Sequence, residues 1–146
     1  MFPPVLNRFH RLSIAIVATL AAMAGIFAMS ARQRVPVPPG FSAKVISTLG
    51  HFAVYLVLAV LLYWTLSFVM DGGWRRYATA WTLAVLYGLS DEWHQSFVPG
   101  RTPDVVDIVT DGIGAAVGLL IVWWITQRLG RGTVDHPQSG ANLADF

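Results

Sequence analysis

Long uninterrupted runs of apolar residues restrict the fold of this chain more than any other feature of its sequence. The first run, residues 12–31, contains no charged residue. An α-helix needs about 20 apolar residues to cross the hydrocarbon core of a bilayer. A soluble domain carries about 25% charged residues, whereas this chain of 146 residues is 12% charged and 55% hydrophobic. The sequence therefore predicts an integral membrane protein.

Four segments of this kind predict an all-α bundle of four transmembrane helices with antiparallel, up-down topology. The spans are expected at about residues 12–31, 48–70, 74–95 and 105–126. They form a single membrane domain over 12–126, between an N-terminal segment, 1–11, and a polar, disordered C-terminal tail, 127–146. The first segment also has the basic start of a cleaved signal peptide, but its apolar stretch is long for one and we favour a retained span.

Arginine and lysine predict the orientation, because cytoplasmic loops of membrane proteins carry an excess of these residues. If both termini are cytoplasmic, six of the ten basic residues lie inside and four lie outside. The four outside are Arg32, Arg34, Lys44 and Arg101. We favour this orientation.

Composition excludes two classes of function. The basic residues are too few and too scattered for a nucleic-acid-binding surface, so no nucleic acid partner is expected. The chain has no cysteine, which excludes disulfide bonds, thiol chemistry and zinc–thiolate sites.

The stretch YGLSDEWHQSFVPGRTPDVVDIVTDGIGAAVG, residues 87–118, is unusually rich in ionisable groups for a segment between apolar runs. It carries five carboxylates, a histidine and an arginine. In an antiparallel bundle, the start of the second span, the end of the third and the start of the fourth lie at the same face of the membrane. The sequence therefore predicts a polar cluster at that face.

Helical spacing identifies the side chains of this cluster, because positions three or four apart share a face. The candidate ligand-binding or polar-network residues are His51, Tyr55, Tyr87, Asp91, Glu92, Gln95, Arg101, Asp104, Asp107 and Asp111. The acidic stripe of the fourth span continues into Gly114 and Gly118. This G-x-x-x-G pair permits close helix packing, so the acids are expected to point into the bundle.

Arg101 is the strong cation expected beside these acids. Its guanidinium can bind a carboxylate through two parallel hydrogen bonds, and it can equally face the phosphate of an anionic lipid. One arginine cannot neutralise four or five carboxylates, so either some are protonated or a further cation is present. A divalent metal is one alternative, with donors among His51, Asp91, Glu92, His94, Asp107 and Asp111. The H-E-x-x-H spacing is absent, and we expect no metal and no cofactor.

A set of residues within 47–126 resembles the pattern of the VanZ-like family, small bacterial membrane proteins named after a teicoplanin-resistance protein. The set comprises GHFAVY at 50–55, Tyr87-Gly88, Glu92, Gln95, Pro99-Gly100-Arg101, Asp104, Asp107, Asp111, Gly114 and Gly118. Ser47 and Thr48 stand where the family often has an Asp-Lys pair, which removes a possible ion-pair partner. The resemblance implies a multi-pass protein of the bacterial inner membrane and, in one branch, lower susceptibility to lipoglycopeptide antibiotics. It implies no particular reaction.

We favour a non-catalytic function in which the cluster, near the outer membrane face, recognises an envelope lipid, a cell-wall precursor or a glycopeptide antibiotic. Arg101 would anchor an anion, and Glu92, Gln95 and Asp107 would orient it. Four interpretations stay open beside this one. The chain could be an enzyme with Glu92 or Asp107 as general base, or a structural partner of another membrane protein. It could also be a dimeric proton-coupled transporter, since buried acids and histidines relay protons, or a bundle whose polar network only fastens the third helix to the fourth. Membrane lipids are expected partners, and a homo-oligomer is compatible with the sequence.

Overall fold

The computed structural model of the protein describes residues 7–33 and 37–131, and the regular structure in those residues is entirely helical. The helices are α1 (Arg8–Ser30), α2 (Ala43–Leu66), α3 (Trp74–Gln95) and α4 (Val105–Arg131). Three of them, α1, α2 and α4, are long and apolar enough to cross a membrane. The predicted all-α class with four helices is therefore confirmed.

The helices α1 and α2 begin earlier than the predicted spans, at Arg8 and Ala43 instead of residues 12 and 48. The side chain of Asn7 accepts a hydrogen bond from the Phe9 backbone N–H, which caps the start of α1. Apolar runs exclude basic residues, but arginine and lysine are good helix formers and their long side chains reach the interface. The helices therefore begin before the apolar runs do.

The helix α4 begins at the predicted position but extends to Arg131, so the predicted tail starts too early. Residues 127–131 are helical, and the remainder of that tail, 132–146, lies outside the described residues. Most of the predicted N-terminal segment, residues 1–6, also lies outside them.

The helices α2 and α4 run parallel and touch through their backbones. His51 pairs with Asp111 at one level, and Leu56 meets Gly118 two turns further along. A Cβ added at Gly118 would lie 2.5 Å from the Leu56 carbonyl oxygen, and one added at Gly114 would collide with the Phe52 carbonyl. The G-x-x-x-G face of α4 therefore packs against α2, as small residues in membrane helices commonly do.

The helix α3 runs antiparallel to α2 and α4 and lies alongside both. Near its start, the Tyr77 hydroxyl is 3.2 Å from that of Tyr63 on α2. Small residues form the apolar core around this end, with one leucine of α4: Ala59, Ala80, Ala84, Ala115 and Leu119. The polar end of α3 lies at the opposite end of the bundle.

The helix α1 packs on the outside of α2 and α3 and is antiparallel to α2. Thr19 and Thr65 share a hydrogen bond of 2.9 Å between their hydroxyl oxygens. Nearer the polar end, Ile26 packs against Tyr55 and Leu58. The C-terminal end of α1 therefore reaches the same end of the bundle as the polar part of α3.

Candidate functional site

The polar residues gather at one end of the bundle, where α1 and α3 end and where α2 and α4 begin. Five of the chain's eight acidic residues belong to this end. The buried polar side chains there are His51, Asp91, Glu92, Gln95, Asp107 and Asp111, with Ser30 of α1 beside them. The predicted convergence of residues that are distant in sequence is therefore present in the fold.

Gln95 and Ser30 hold the two acids of α3. The Gln95 side-chain nitrogen donates to an oxygen of Asp91 and to an oxygen of Glu92, both at 3.0 Å. The Ser30 hydroxyl donates to the same oxygen of Asp91 at 2.8 Å. Because Asp91 and Gln95 lie one helical turn apart, the sequence spacing itself creates the first of these bonds.

His51 and Asp111 join α2 to α4. The histidine Nδ1 lies 2.9 Å from Asp111 Oδ1. Asp111 is fully buried, and a Cβ at Gly88 would lie 2.8 Å from its second oxygen. Gly88 is therefore required next to this carboxylate, because any larger residue would displace it.

Lys44 occupies the rim of the cluster and binds two acids of α4. Its amine donates to Asp104 Oδ2 at 2.7 Å and to Asp107 Oδ1 at 2.9 Å. The salt bridge to Lys44 lowers the pKa of Asp104, and a hydrogen bond from the backbone N–H of Val106 lowers it further. That second bond caps the N-terminus of α4.

Glu92 connects the end of α3 to the start of α4. Its Oε2 accepts the backbone N–H of Asp104 at 2.9 Å, and its Oε1 accepts from Gln95. This contact is part of the network that was predicted as a link between the third helix and the fourth. Both oxygens of Glu92 therefore have donors, which holds the carboxylate in a fixed orientation.

Tyr55 and Tyr87 are adjacent but behave differently. Tyr87 donates its hydroxyl to the Met23 carbonyl of α1 at 2.7 Å, so it fastens α1 and does not bind the acids. Tyr55 is fully buried, and its hydroxyl has no hydrogen-bond partner among the described residues. One oxygen of Asp91 and one of Asp111 are likewise buried and unpartnered within that part of the chain.

A cavity of about 240 Å³ opens between α1 and α2 beside the cluster. Its wall is mainly apolar, with Ile26, Met29, Ile46 and Val54. Its polar lining includes His51, Tyr55 and Asp91, together with the two arginines Arg32 and Arg101. The cavity therefore combines an apolar wall, basic groups and the inner acids of the cluster.

Arg101 lies in the loop between α3 and α4 and lines this cavity. The turn before it depends on Gly100, whose φ of 82° favours glycine. Within residues 7–33 and 37–131, Arg101 forms no ion pair, and its Nε is buried without a partner. Of the two roles predicted for Arg101, carboxylate binding is therefore not observed in this part of the chain, and contact with an external anion stays a proposal.

Sequence reasoning missed Lys44 and Ser30. The sequence places Lys44 only among the basic residues expected outside the membrane, before the predicted second span, whereas it lies in the first turn of α2. It is one helical turn before Thr48, where the family often has the lysine of its Asp-Lys pair, so the spacing could have pointed to it. Ser30 carries no sequence signal, because a serine near the end of an apolar run is common.

The two serines at the end of α3 do not belong to the cluster. Ser90 donates its hydroxyl to the Tyr87 carbonyl, and Ser96 donates to the Trp93 carbonyl, each within its own helix. Both serines are exposed. His94 stacks on Phe27 with ring centroids 4.2 Å apart and forms no ion pair with an acid of the described residues. The residues of α2 and α3 that could hold a metal are instead His51, Asp91 and Glu92, whose ligand atoms lie within 4.8 Å of one another.

These features define a small multi-pass membrane protein. It buries a hydrogen-bonded cluster of acids, an amide and a histidine at one end of its bundle. Residues 5–126 match the VanZ/LLP1 family model, and the chain belongs to this family. The predicted membership is confirmed, and the match includes α1, which the resemblance over 47–126 did not.

The chain is also similar to an uncharacterized protein of Schizosaccharomyces pombe. The two are 33% identical over 86 residues, which are 57% of this chain and 50% of the relative. The chain therefore spans about half the length of the curated relative it matches. No solved structure matches this chain.

Proposed function

We propose that this protein binds an envelope lipid whose phosphate-bearing headgroup enters the cavity between α1 and α2. The observation that carries the proposal is the guanidinium of Arg101, half-buried beside the cavity and without an ion pair in the described residues. A desolvated guanidinium is stabilised by an anion, and phosphate accepts two parallel hydrogen bonds from it.

The shape of the cavity supports an amphiphile over a free anion. A volume of about 240 Å³ accommodates a headgroup but not acyl chains, which would lie along the exposed apolar faces of α1 and α2. Arg32 adds a second positive charge at the cavity. A cavity lined by apolar residues and two arginines matches the chemistry of a lipid, which carries its phosphate next to apolar chains.

We place the protein in the inner membrane of a bacterium, with α3 as a fourth span, both termini in the cytoplasm and the cavity near the outer face. The ligand would then come from the outer leaflet, as a phospholipid or as a lipid-linked cell-wall precursor. A glycopeptide antibiotic of the teicoplanin type is the other ligand class. Resistance would follow from binding of either the antibiotic or its lipid-linked target.

Native mass spectrometry tests the proposal on protein extracted into nanodiscs of phosphatidylcholine with added phosphatidylglycerol. We expect the wild type to retain phosphatidylglycerol, and Arg101→Gln to lose about tenfold or more in retention, because one charge-assisted contact is worth about 1.5–3 kcal/mol. Arg75→Gln, an exposed arginine at the opposite end of the bundle, is the matched control.

A second variant fills part of the cavity and keeps the charge of Arg101. A Cβ at Gly50 would meet nothing within 4 Å, and Gly50 lines the cavity. Gly50→Leu should therefore fill part of it and reduce lipid retention while the helices stay folded. Equal retention in wild type, Arg101→Gln and Gly50→Leu would reject the proposal.

Parallel experiments distinguish the ligand sources. Inorganic phosphate that competes fully with the lipid would show that the site recognises a free anion. Preferential retention of undecaprenyl phosphate would indicate a cell-wall precursor, and retention of teicoplanin in its place would indicate the antibiotic. Turnover of the retained lipid would favour the enzyme interpretation, and co-purification of a stoichiometric protein partner without lipid would favour the structural one.

A further inference from the structure

Three ligand-type side chains meet beside the cavity and suggest a second kind of ligand. His51, Asp91 and Glu92 are all buried, and their ligand atoms lie within 4.8 Å of one another. Ligand atoms bound to tetrahedral zinc at about 2.1 Å are roughly 3.4 Å apart, so small side-chain rotations would complete such a site. We infer that His51, Asp91 and Glu92 bind one divalent transition-metal ion, Zn²⁺ or Mn²⁺.

The buried negative charges of the cluster outnumber its positive charges, which indicates a further cation. Four carboxylates are buried there: Asp91, Glu92, Asp107 and Asp111. Lys44 pairs with Asp107, and Asp111 accepts a hydrogen bond from His51, which carries no charge when its imidazole binds a metal. The donors to Asp91 and Glu92 in the described residues are neutral: a serine, a glutamine and a backbone N–H. A divalent ion bound by two carboxylates and a neutral imidazole gives a locally neutral group, which a membrane interior tolerates far better than two unpaired charges.

Two buried atoms without partners provide an independent observation. Asp91 is 3% exposed, and its Oδ1 has no hydrogen-bond partner among the described residues. The Tyr55 hydroxyl is fully buried and also has no hydrogen-bond partner among the described residues. Both residues line the cavity next to His51. A buried acceptor and a buried donor that line one cavity, neither with a partner among the described residues, can both be satisfied by a metal ion and its bound water.

The surrounding hydrogen bonds already orient the three ligands. Asp111 accepts from His51 Nδ1, which leaves the lone pair of Nε2 for a metal. Metal-binding histidines almost always donate their other N–H to a carboxylate or a carbonyl. Gln95 donates to both acidic ligands, so its side chain sets the distance between them. Asp111 and Gln95 are therefore positioning residues for the ion.

The ion would keep an open position on the side of the cavity. Three protein ligands leave at least one coordination site of zinc for water or another oxygen. Both His51 and Asp91 line the cavity, so that site faces it. The inference does not rest on lipid binding, because the ligands, their donors and the unpartnered atoms belong to the protein itself.

Elemental analysis of the full chain in detergent tests the site. After treatment with a chelator and dialysis against Zn²⁺ or Mn²⁺, we expect one equivalent of metal per chain. Asp91→Asn and Glu92→Gln should weaken binding on the order of 100-fold or more, and Asp111→Asn and Gln95→Leu by about 10- to 100-fold. Asp104→Asn removes a neighbouring carboxylate outside the ligand set and should retain the metal.

Electron spin-echo spectroscopy of the Mn²⁺-loaded wild type tests the site without substituting any acid. Its result therefore does not depend on whether the acid variants fold. We expect modulation from one imidazole nitrogen, lost in His51→Gln and kept in His94→Gln. Absence of that modulation in the wild type, or equal metal content in wild type and Asp91→Asn, would overturn the inference. Arg101→Gln should keep its metal even where it loses lipid, so failure of the lipid proposal and failure of the metal site are distinguishable.

Discussion

Gln95 organises the acids of α3 because its side-chain NH₂ group carries two protons. One is donated to Asp91 and the other to Glu92, two neighbouring acids whose charges would otherwise repel each other. A lysine could bind the same pair, but it would add a charge, and an aliphatic side chain would leave both acids without this donor. A neutral residue with two donors is therefore well suited to this position.

We expect Gln95→Leu to lower the free energy of unfolding by about 1–3 kcal/mol, because it leaves buried acceptors without their donor. Thermal unfolding in detergent, followed by circular dichroism, measures the change. Gln127→Leu makes the same replacement at an exposed position of α4 and should have little effect. Equal stability of the two variants would contradict the structural importance of Gln95.

Lys44 is the only lysine of the chain and the cation that the acids at the start of α4 use. We expect Lys44→Met to lower the melting temperature at neutral pH and Lys44→Arg to preserve most of it. The effect should be modest because the amine is half-exposed, and exposed ion pairs contribute little. A Lys44→Met protein as stable as the wild type would show that the two bonds are unimportant.

The same comparison has a defined pH dependence. Because Lys44 lowers the pKa of Asp104 in the folded protein, this pair stabilises the fold above the ordinary aspartate pKa of about 3.9. The contribution is lost as the pH falls through the lowered value. The difference in melting temperature between wild type and Lys44→Met should therefore be full at pH 6 and shrink below about pH 4.

At the level of single residues, the sequence predicted which side chains belong to the cluster better than it predicted which of them bind each other. Helical spacing predicted that His51 and the acids of α3 and α4 lie at one level, because the period of a helix is fixed. It did not predict that Lys44 binds the acids of α4, because this contact joins residues 60 and 63 positions apart and depends on where the preceding segment places the first turn of α2.

At the level of helices, the parallel contact of α2 with α4 is the tightest constraint on the bundle. We expect Gly114→Ala and Gly118→Ala each to destabilise the protein by about 1–3 kcal/mol, because the added methyl meets a backbone carbonyl that cannot move alone. They should also separate His51 from Asp111. Thermal unfolding and metal affinity measure the two effects.

Gly112→Ala is the matched control on the same helix. Its Cβ would meet Val85 and Trp81 side chains at 3.7 and 3.8 Å, which are ordinary contacts. This variant should be neutral or slightly stabilising, since alanine is the better helix former. If Gly112→Ala were as harmful as Gly118→Ala, loss of glycine itself and not close packing would be the cause.

Helix bounds were predictable where composition changes sharply. The bounds of α3 coincide with the prediction because Gly72 and Gly73 precede it and a polar, proline-containing segment follows it. The starts of α1 and α2 were missed because basic residues end an apolar run without ending a helix. Hydropathy locates the part of a helix that lies in lipid, whereas capping and backbone hydrogen bonds determine its full length.

At the level of the whole molecule, the orientation in the membrane has a direct test, since the chain has no native cysteine. We expect Thr102→Cys, in the α3–α4 loop, to react in intact cells with a maleimide that cannot cross the membrane. Asp71→Cys, in the loop at the opposite end, should react only after permeabilisation. The reverse pattern would place the cluster on the cytoplasmic side and would change which leaflet supplies the ligand.

The uneven polarity of the four helices has a consequence for biogenesis. The helix α3 does not reach the apolarity of the other three, and its acids accept hydrogen bonds from Ser30 of α1 and from Asp104, just before α4. Until residue 104 has left the ribosome, Glu92 lacks the backbone donor that follows it by 12 residues. The translocation machinery would therefore have to shelter α3 until α4 emerges and then release the two as a helical hairpin. A stalled chain that continues from residue 103 into an unrelated linker, long enough to fill the ribosomal exit tunnel, should leave α3 easily extracted by alkali. A chain whose linker follows residue 131 should not.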